Sequence, residues 1–263
     1  MHFYYIQLQH AVRAQGTAVE WVQSPTPVFR TVFQAQDTKG MISQCYNMLL
    51  SSWLEGHPMK VAEQWETDLG PIEGEVWEEA LLAVNACSLN VSQRVSQLYI
   101  LLRVHYTPVK LFRMGRAPDP LCGRCRAAQG DLVHLLWRCP KLHRYWSEVL
   151  ATLNSVFQTS VPLDPLCCLL GVLEGSIAEE TTRVAFARAL FQARKLILIH
   201  WKSREPPSVK VWVQHVGKTL LMEKYIYQHR GNAGKFFRLW DPWLATPGLS
   251  PVELVQERLL GGM

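Results

Sequence analysis

No apolar run in this sequence approaches the roughly 20 residues that a membrane-spanning helix needs, and the longest, Leu166 to Leu173 and Leu196 to Ile199, stop well short. No membrane partner is therefore expected. Met1-His2-Phe3-Tyr4-Tyr5 has no basic region, no sustained apolar core and no small-residue cleavage site, so the expectation is an intracellular chain that is not secreted. Glycine and proline are at ordinary levels, 16 and 15 in 263 residues, which excludes collagen-like and low-complexity chains. Charged residues make up only 19% against 48% hydrophobic, enough apolar surface to offset the entropy of ordering, so global disorder is excluded.

Ten Trp imply a core built around large aromatic anchors. Seven Cys is an odd number and, without an export signal, argues against a disulfide framework; thiols at regular spacing then read as metal ligands. The net charge of +5 is unevenly placed. Between Arg94 and Arg144 ten basic residues face only Asp119 and Asp131, a local charge of +8 against −3 for the remainder. Such an excess favours a polyanionic partner, RNA or DNA foremost, or else forms a solvated basic face.

Helix-start signals recur and strand alternation does not. Ser176-Ile177-Ala178-Glu179 reads as a capping box, after which Phe186, Leu190, Ala193, Ile197 and Trp201 share a face and Arg188, Gln192 and Lys195 point away. Pro206-Pro207 ends that helix, and Ser208 can cap the next, where Val209, Val213, Val216 and Leu220 repeat. Asn90 precedes a helix with Val95, Leu98 and Leu102 on one face, which Pro108 breaks or restarts. Further helices are expected over Met41 to Trp53, over Glu73 to Val84 and from Ser250-Pro251-Val252-Glu253. Glu73, Glu75, Glu78 and Glu79 read as the solvated face of a surface helix. The fold class is thus mainly α, an irregular helical array with a small CCHC zinc-knuckle module in the middle. Its expected parts are residues 1–88, a basic module at 89–150, residues 151–245 and a tail at 246–263, with breaker chemistry at Asp119-Pro120 and Pro162 to Pro165.

One constellation has metal spacing: Cys122-x2-Cys125-x8-His134-x4-Cys139. Cys122 and Cys125 can clamp a metal from a tight turn that Gly123 relaxes, and His134 and Cys139 can complete the shell from a short helix ending at Pro140. Three thiolates and an imidazole satisfy one tetrahedral Zn2+ and leave no position for water, the mark of a structural site. The bland alternative makes the thiols ordinary, His134 a capping residue and Cys139 a core residue. His143 is a substitute ligand by position, but reads better as a surface contact to nucleic acid. Cys45, Cys87, Cys167 and Cys168 lack metal spacing and read as small core residues. The residues expected to meet nucleic acid are Arg113, Arg116, Arg124, Arg126, Arg138, Lys141, His143 and Arg144, with Trp137, Tyr145 and Trp146 interleaved. Packing is the favoured reading for Trp146, and the aromatics of Lys235 to Trp240 read as core.

Tyr106-Thr107-Pro108, Lys110-Leu111 and Met114, leading into Cys122-x2-Cys125, His134, Trp137, Cys139-Pro140 and Trp146, resemble the C-terminal zinc-binding segment of reverse transcriptases of LINE-type (non-LTR) retrotransposons. Tyr4-Tyr5 and Trp65-Glu66-x-Asp68-Leu69-Gly70 upstream are similar to the region after the polymerase. Asp164-Pro165, Leu169-Leu170-Gly171, Ala193-Arg194-Lys195 and Trp201 downstream fit the same region. The resemblance spans roughly residues 1 to 245 and implies a nucleic-acid-binding segment with Cys122, Cys125, His134 and Cys139 as zinc ligands. It departs from the family in its carboxylates. The chain has six Asp (Asp37, Asp68, Asp119, Asp131, Asp164 and Asp241), no two adjacent, whereas nucleotidyl transfer needs clustered carboxylates for two metal ions. No endonuclease domain is expected ahead of the segment. The expectation is a truncated, non-catalytic fragment with no small-molecule substrate. The alternatives are a helical protein-interaction scaffold, with an unspecified protein partner, or a functionless expressed remnant. A Cys-His hydrolase has no aligned nucleophile and base to recommend it.

Overall fold

Asn90, Thr107 and Ser208 each close a helix start with a side-chain oxygen, accepting from the amides of Ser92 (2.9 Å), Lys110 (3.2 Å) and Val211 (3.3 Å). The computed structural model describes residues 60–250, with Ser43 and Leu254 in addition. Apart from Ser43, the expected helix over Met41 to Trp53 lies outside the described residues, as do Tyr4-Tyr5, Cys45 and all but Ser250 of the start at Ser250 to Glu253.

Among the described residues the helices are, in chain order, α1 (Lys60–Leu69), α2 (Gly74–Ala86), α3 (Val91–Leu101), α4 (Pro108–Arg113), α5 (Pro140–Phe157), α6 (Glu180–Ile199), α7 (Val209–His229) and α8 (Ala233–Ala245). Two short π-type turns, His134–Arg138 and Leu166–Leu170, precede α5 and α6. Among the described residues there is no strand, only one antiparallel bridge, Leu121 to Gln129. The fold is mainly helical, as the sequence predicts.

α6 is the hub, packed on α2, α5, α7, α8 and both π-type turns. Enclosure on so many sides overrides the one-faced pattern read from the sequence. Arg188 and Gln192, expected to point away, are buried. The Arg188 guanidinium donates to Glu223 Oε2 at 2.6 Å, and Gln192 Nε2 to Gln93 Oε1 at 3.0 Å. The start of α6 also differs. Ser176 and Ile177 are held in a turn on the Leu173 carbonyl, and the cap is Glu179, whose carboxylate takes the Thr181 and Thr182 amides.

α3 turns Gln97, Ile100 and Leu101 into the core rather than Val95 and Leu102, because Gln97 reaches the Leu169 carbonyl (3.1 Å) and Leu101 lies beside Trp65. Thr107 and Pro108 restart the chain as α4, resolving the choice between break and restart. Glu79 leaves the solvated acidic face: its Oε1 accepts from the Leu173 and Glu174 amides at 2.6 and 2.7 Å. Residues of α1 to α3 and of α5 to α8 contribute to one buried cluster, so 89–150 and 151–245 share a core with 60–88. The aromatic anchors are Trp65, Trp146, Trp212, Trp240 and Trp243, all fully buried. The indoles of the first three donate to the carbonyls of Leu101, Leu136 and Ala189, and that of Trp240 to Glu223, so burial leaves these polar edges satisfied. Cys87, Cys167 and Cys168 are buried core thiols.

Candidate metal centre and its basic surround

The first ligand pair sits in a tight loop pinned at its base. Asp119 accepts from the Leu121 amide (3.0 Å) and pairs with Arg126 (2.9 Å), while Cys122 N–H bonds to Ala128 O and Gly130 N–H to Pro120 O, both at 2.8 Å. The backbone reversal falls on Arg126, at φ +55°, and not on Gly123, whose φ is ordinary. Gly123 instead faces the Trp201–Lys202 backbone, where a Cβ would sit at 3.5 Å from the Lys202 carbonyl oxygen.

Asp131 caps the next turn, accepting from His134 N–H at 2.7 Å. The turn then closes with a wide bond from Cys139 N–H to His134 O (3.0 Å), five residues back, which brings Cys139 onto the same side as His134. Pro140 starts α5 immediately afterwards.

The ligand atoms of Cys122, Cys125, His134 and Cys139 all lie within 4.8 Å of one another, with Cys125 Sγ 3.3 Å from His134 Nε2. A tetrahedron of ~2.3 Å metal–sulfur bonds has edges of about 3.8 Å, so the four donors match a single ion. Cys122, His134 and Cys139 are buried and Cys125 is half-buried. His143 is exposed and stands outside the cluster.

The thiols are not alike. Burial, reinforced by Cys122 and Cys125 and opposed by the Lys141 amide, pushes the Cys139 thiol up to about 11. Burial also acts to raise Cys125, but the Ala127 and Ala128 amides and the Cys122 and Cys139 side chains outweigh it and hold that thiol below its ordinary value. Burial lowers His134, with Asp131 opposing and Arg124 and Arg138 assisting, so its imidazole favours the neutral form that ligates metal.

Arg124 requires a correction. Expected on the surface, it is 3% exposed, with Nη1 on the Leu135 carbonyl (2.7 Å) and Nη2 on that of Ile197 (3.2 Å). Cys122, Cys139 and Cys125 are its charge partners, and burial is what lowers its pKa. It is a cation held inward against the cysteine cluster and cannot meet a nucleic acid.

The other seven expected contacts are exposed. Four have carboxylate partners: Arg126 with Asp119 (2.9 Å), Arg138 with Asp68 (3.0 Å), Lys141 with Glu205 (2.9 Å) and Arg144 with Glu148 (2.7 Å). Arg113 and Arg116, at and beyond the end of α4, have no ion-pair partner among the described residues. Sequence reasoning missed Asp68 and Glu205 as members of this surround. They lie some 60 to 70 residues from the cations they meet, and no local signal marks them. Trp146 is buried, whereas Trp137 is half-buried. No protein-family model matches the chain.

Proposed function

We propose that the chain is a non-catalytic nucleic-acid-binding protein stabilised by one structural Zn2+ on Cys122, Cys125, His134 and Cys139. The observation that carries the reading is the convergence of three thiols and one imidazole at metal-binding distances, in a stretch whose flanking basic residues are mostly exposed. The donor set fits zinc by number, chemistry and burial, and four protein ligands fill a tetrahedral shell, which suits a structural rather than a hydrolytic role. Arg113, Arg116, Arg126, Arg138, Lys141 and Arg144 supply the charge, with His143 beside them as a polar contact. Exposed carboxylate pairs are worth only about 0 to 1 kcal/mol each, so phosphates can take over the guanidinium and ammonium groups at little cost. The resemblance of the Cys122-to-Trp146 stretch to the zinc-binding segment of LINE-type reverse transcriptases agrees with this function. On this reading the chain corresponds to that segment.

Binding to RNA or DNA should weaken steeply with salt, the slope of log affinity against log salt being about 0.7 to 0.9 per phosphate contacted. Removing Arg113, Arg116, Lys141 and Arg144 together should flatten that slope while zinc stays bound. Absence of binding to either nucleic acid at low salt would contradict the proposal.

A second reading, a helical scaffold for a protein partner, draws on a different surface. Val91, Val95, Tyr99 and Leu102 form an exposed apolar stripe along α3, and Tyr106, Phe112 and Met114 are exposed on the segment that follows. Under that reading the quadruple charge removal would leave partner binding intact.

A further inference from the structure

Beside the metal centre a groove of about 360 Å3 opens between the π-type turn, the start of α5 and the loop carrying Leu163. Trp137 and Trp146 form its aromatic part, Pro140 and Leu163 its aliphatic part, and Arg138 and His143 its polar rim. Trp146 is fixed by its indole bond to the Leu136 carbonyl (2.8 Å), and the Trp137 ring stands 6.0 Å from it at 48°. Trp137 is therefore a half-buried ring held in place by a buried one, so little freedom remains to be lost when something stacks on it.

We infer that this groove is the seat of one unpaired nucleobase of a single-stranded nucleic acid, stacked on Trp137, with the adjoining phosphates on Arg138 and on the exposed Lys141 and Arg144. The inference rests on the nucleic-acid-binding reading above and adds its base-contacting residue. Charge selects the occupant: no carboxylate lines this groove and the Arg138 guanidinium does, whereas the cleft between α2 and α6 carries Glu79, Glu174 and Glu180 against a single Arg183. Shape selects the strand state. A paired base keeps both faces inside the duplex stack, while an unpaired base can turn a face to an aromatic ring. The volume suits one ring system and its sugar, not a helix.

The test uses the full chain with zinc and a fluorescein-labelled oligonucleotide of mixed sequence, offered as single-stranded RNA, single-stranded DNA and duplex, with anisotropy as the readout. The single strands should bind more tightly than the duplex. W137A should weaken them about 5- to 100-fold without changing the salt slope, and W137F should keep most of the affinity. L163E alters the groove from a loop that holds no metal ligand, and should also weaken single-strand binding. It decides the matter if W137A loses zinc. Salt-sensitive binding in the parent that W137F and L163E share undiminished, with W137A no weaker or misfolded, would overturn the groove assignment and leave the broader proposal standing. A parent that binds none of the three would overturn both.

Discussion

A guanidinium that is 3% exposed has to be matched by charge or by acceptors, because burying an unpaired cation costs far more than a typical stabilising contact. Arg124 has both: carbonyl acceptors at Leu135 and Ile197, and the three thiols as charge partners. Three thiolates and a divalent ion would leave the centre one charge negative, and this arginine balances it while tying the loop to the end of α6. R124M should destabilise the protein by about 3 kcal/mol and speed zinc transfer to a chelator, with R124K intermediate; thermal unfolding and a colorimetric chelator assay check both. R144A, which breaks an exposed pair within one helix, should change stability by less than about 0.5 kcal/mol. The sequence shows Arg124 and Arg144 as members of one basic stretch. What separates them is the Ile197 carbonyl, 73 residues from Arg124, which no local pattern reveals.

At the scale of the element, chain reversals and caps set where the ligands fall. Glu179 accepts from two first-turn amides of α6, and the Thr182 side chain and amide lead the interactions that hold its carboxyl at about 2, well below the usual range. A depressed carboxylate stabilises the fold above its ordinary value near 4.5 and loses that contribution as pH falls toward about 2. E179A should therefore cost about 1 kcal/mol at neutral pH, and the gap to the parent should close on acidification through that window, as measured by urea unfolding. Gly130 is needed for a different reason: a Cβ there would lie 2.7 Å from the Pro108 ring. G130A should destabilise by about 1 to 3 kcal/mol, since neither the proline ring nor the loop beneath it can yield cheaply.

The caps at Asn90 and Ser208 are legible in the sequence because capping is a contact within three residues. Ser176 to Glu179 has the letters of a capping box, yet the turn closed on Leu173 leaves only its last residue to act. The four candidate ligands are legible for the same local reason, all falling within one short stretch. The buried faces of α3 and α6 were not, since they depend on how many neighbours each helix meets.

At the scale of the molecule, Cys122 and Cys139 belong to the same buried cluster as the core residues of α5 and α6. Structural zinc contributes about 10 to 16 kcal/mol of apparent binding free energy, comparable with the roughly 5 to 15 kcal/mol that holds a domain folded. Metal loss should therefore spread beyond the loop. A strong chelator is expected to lower both the unfolding midpoint and the helical circular dichroism signal, and re-addition of zinc to restore them; a fully helical, equally stable protein after metal removal would contradict this.

The most direct test of the central claim is total zinc per purified chain, measured beside the Cys122→Ser/Cys125→Ser variant. The account predicts about one zinc in the parent and none in the variant. A folded parent that neither carries nor takes up zinc would contradict it, and would leave the four ligands as a cluster of shape without a metal.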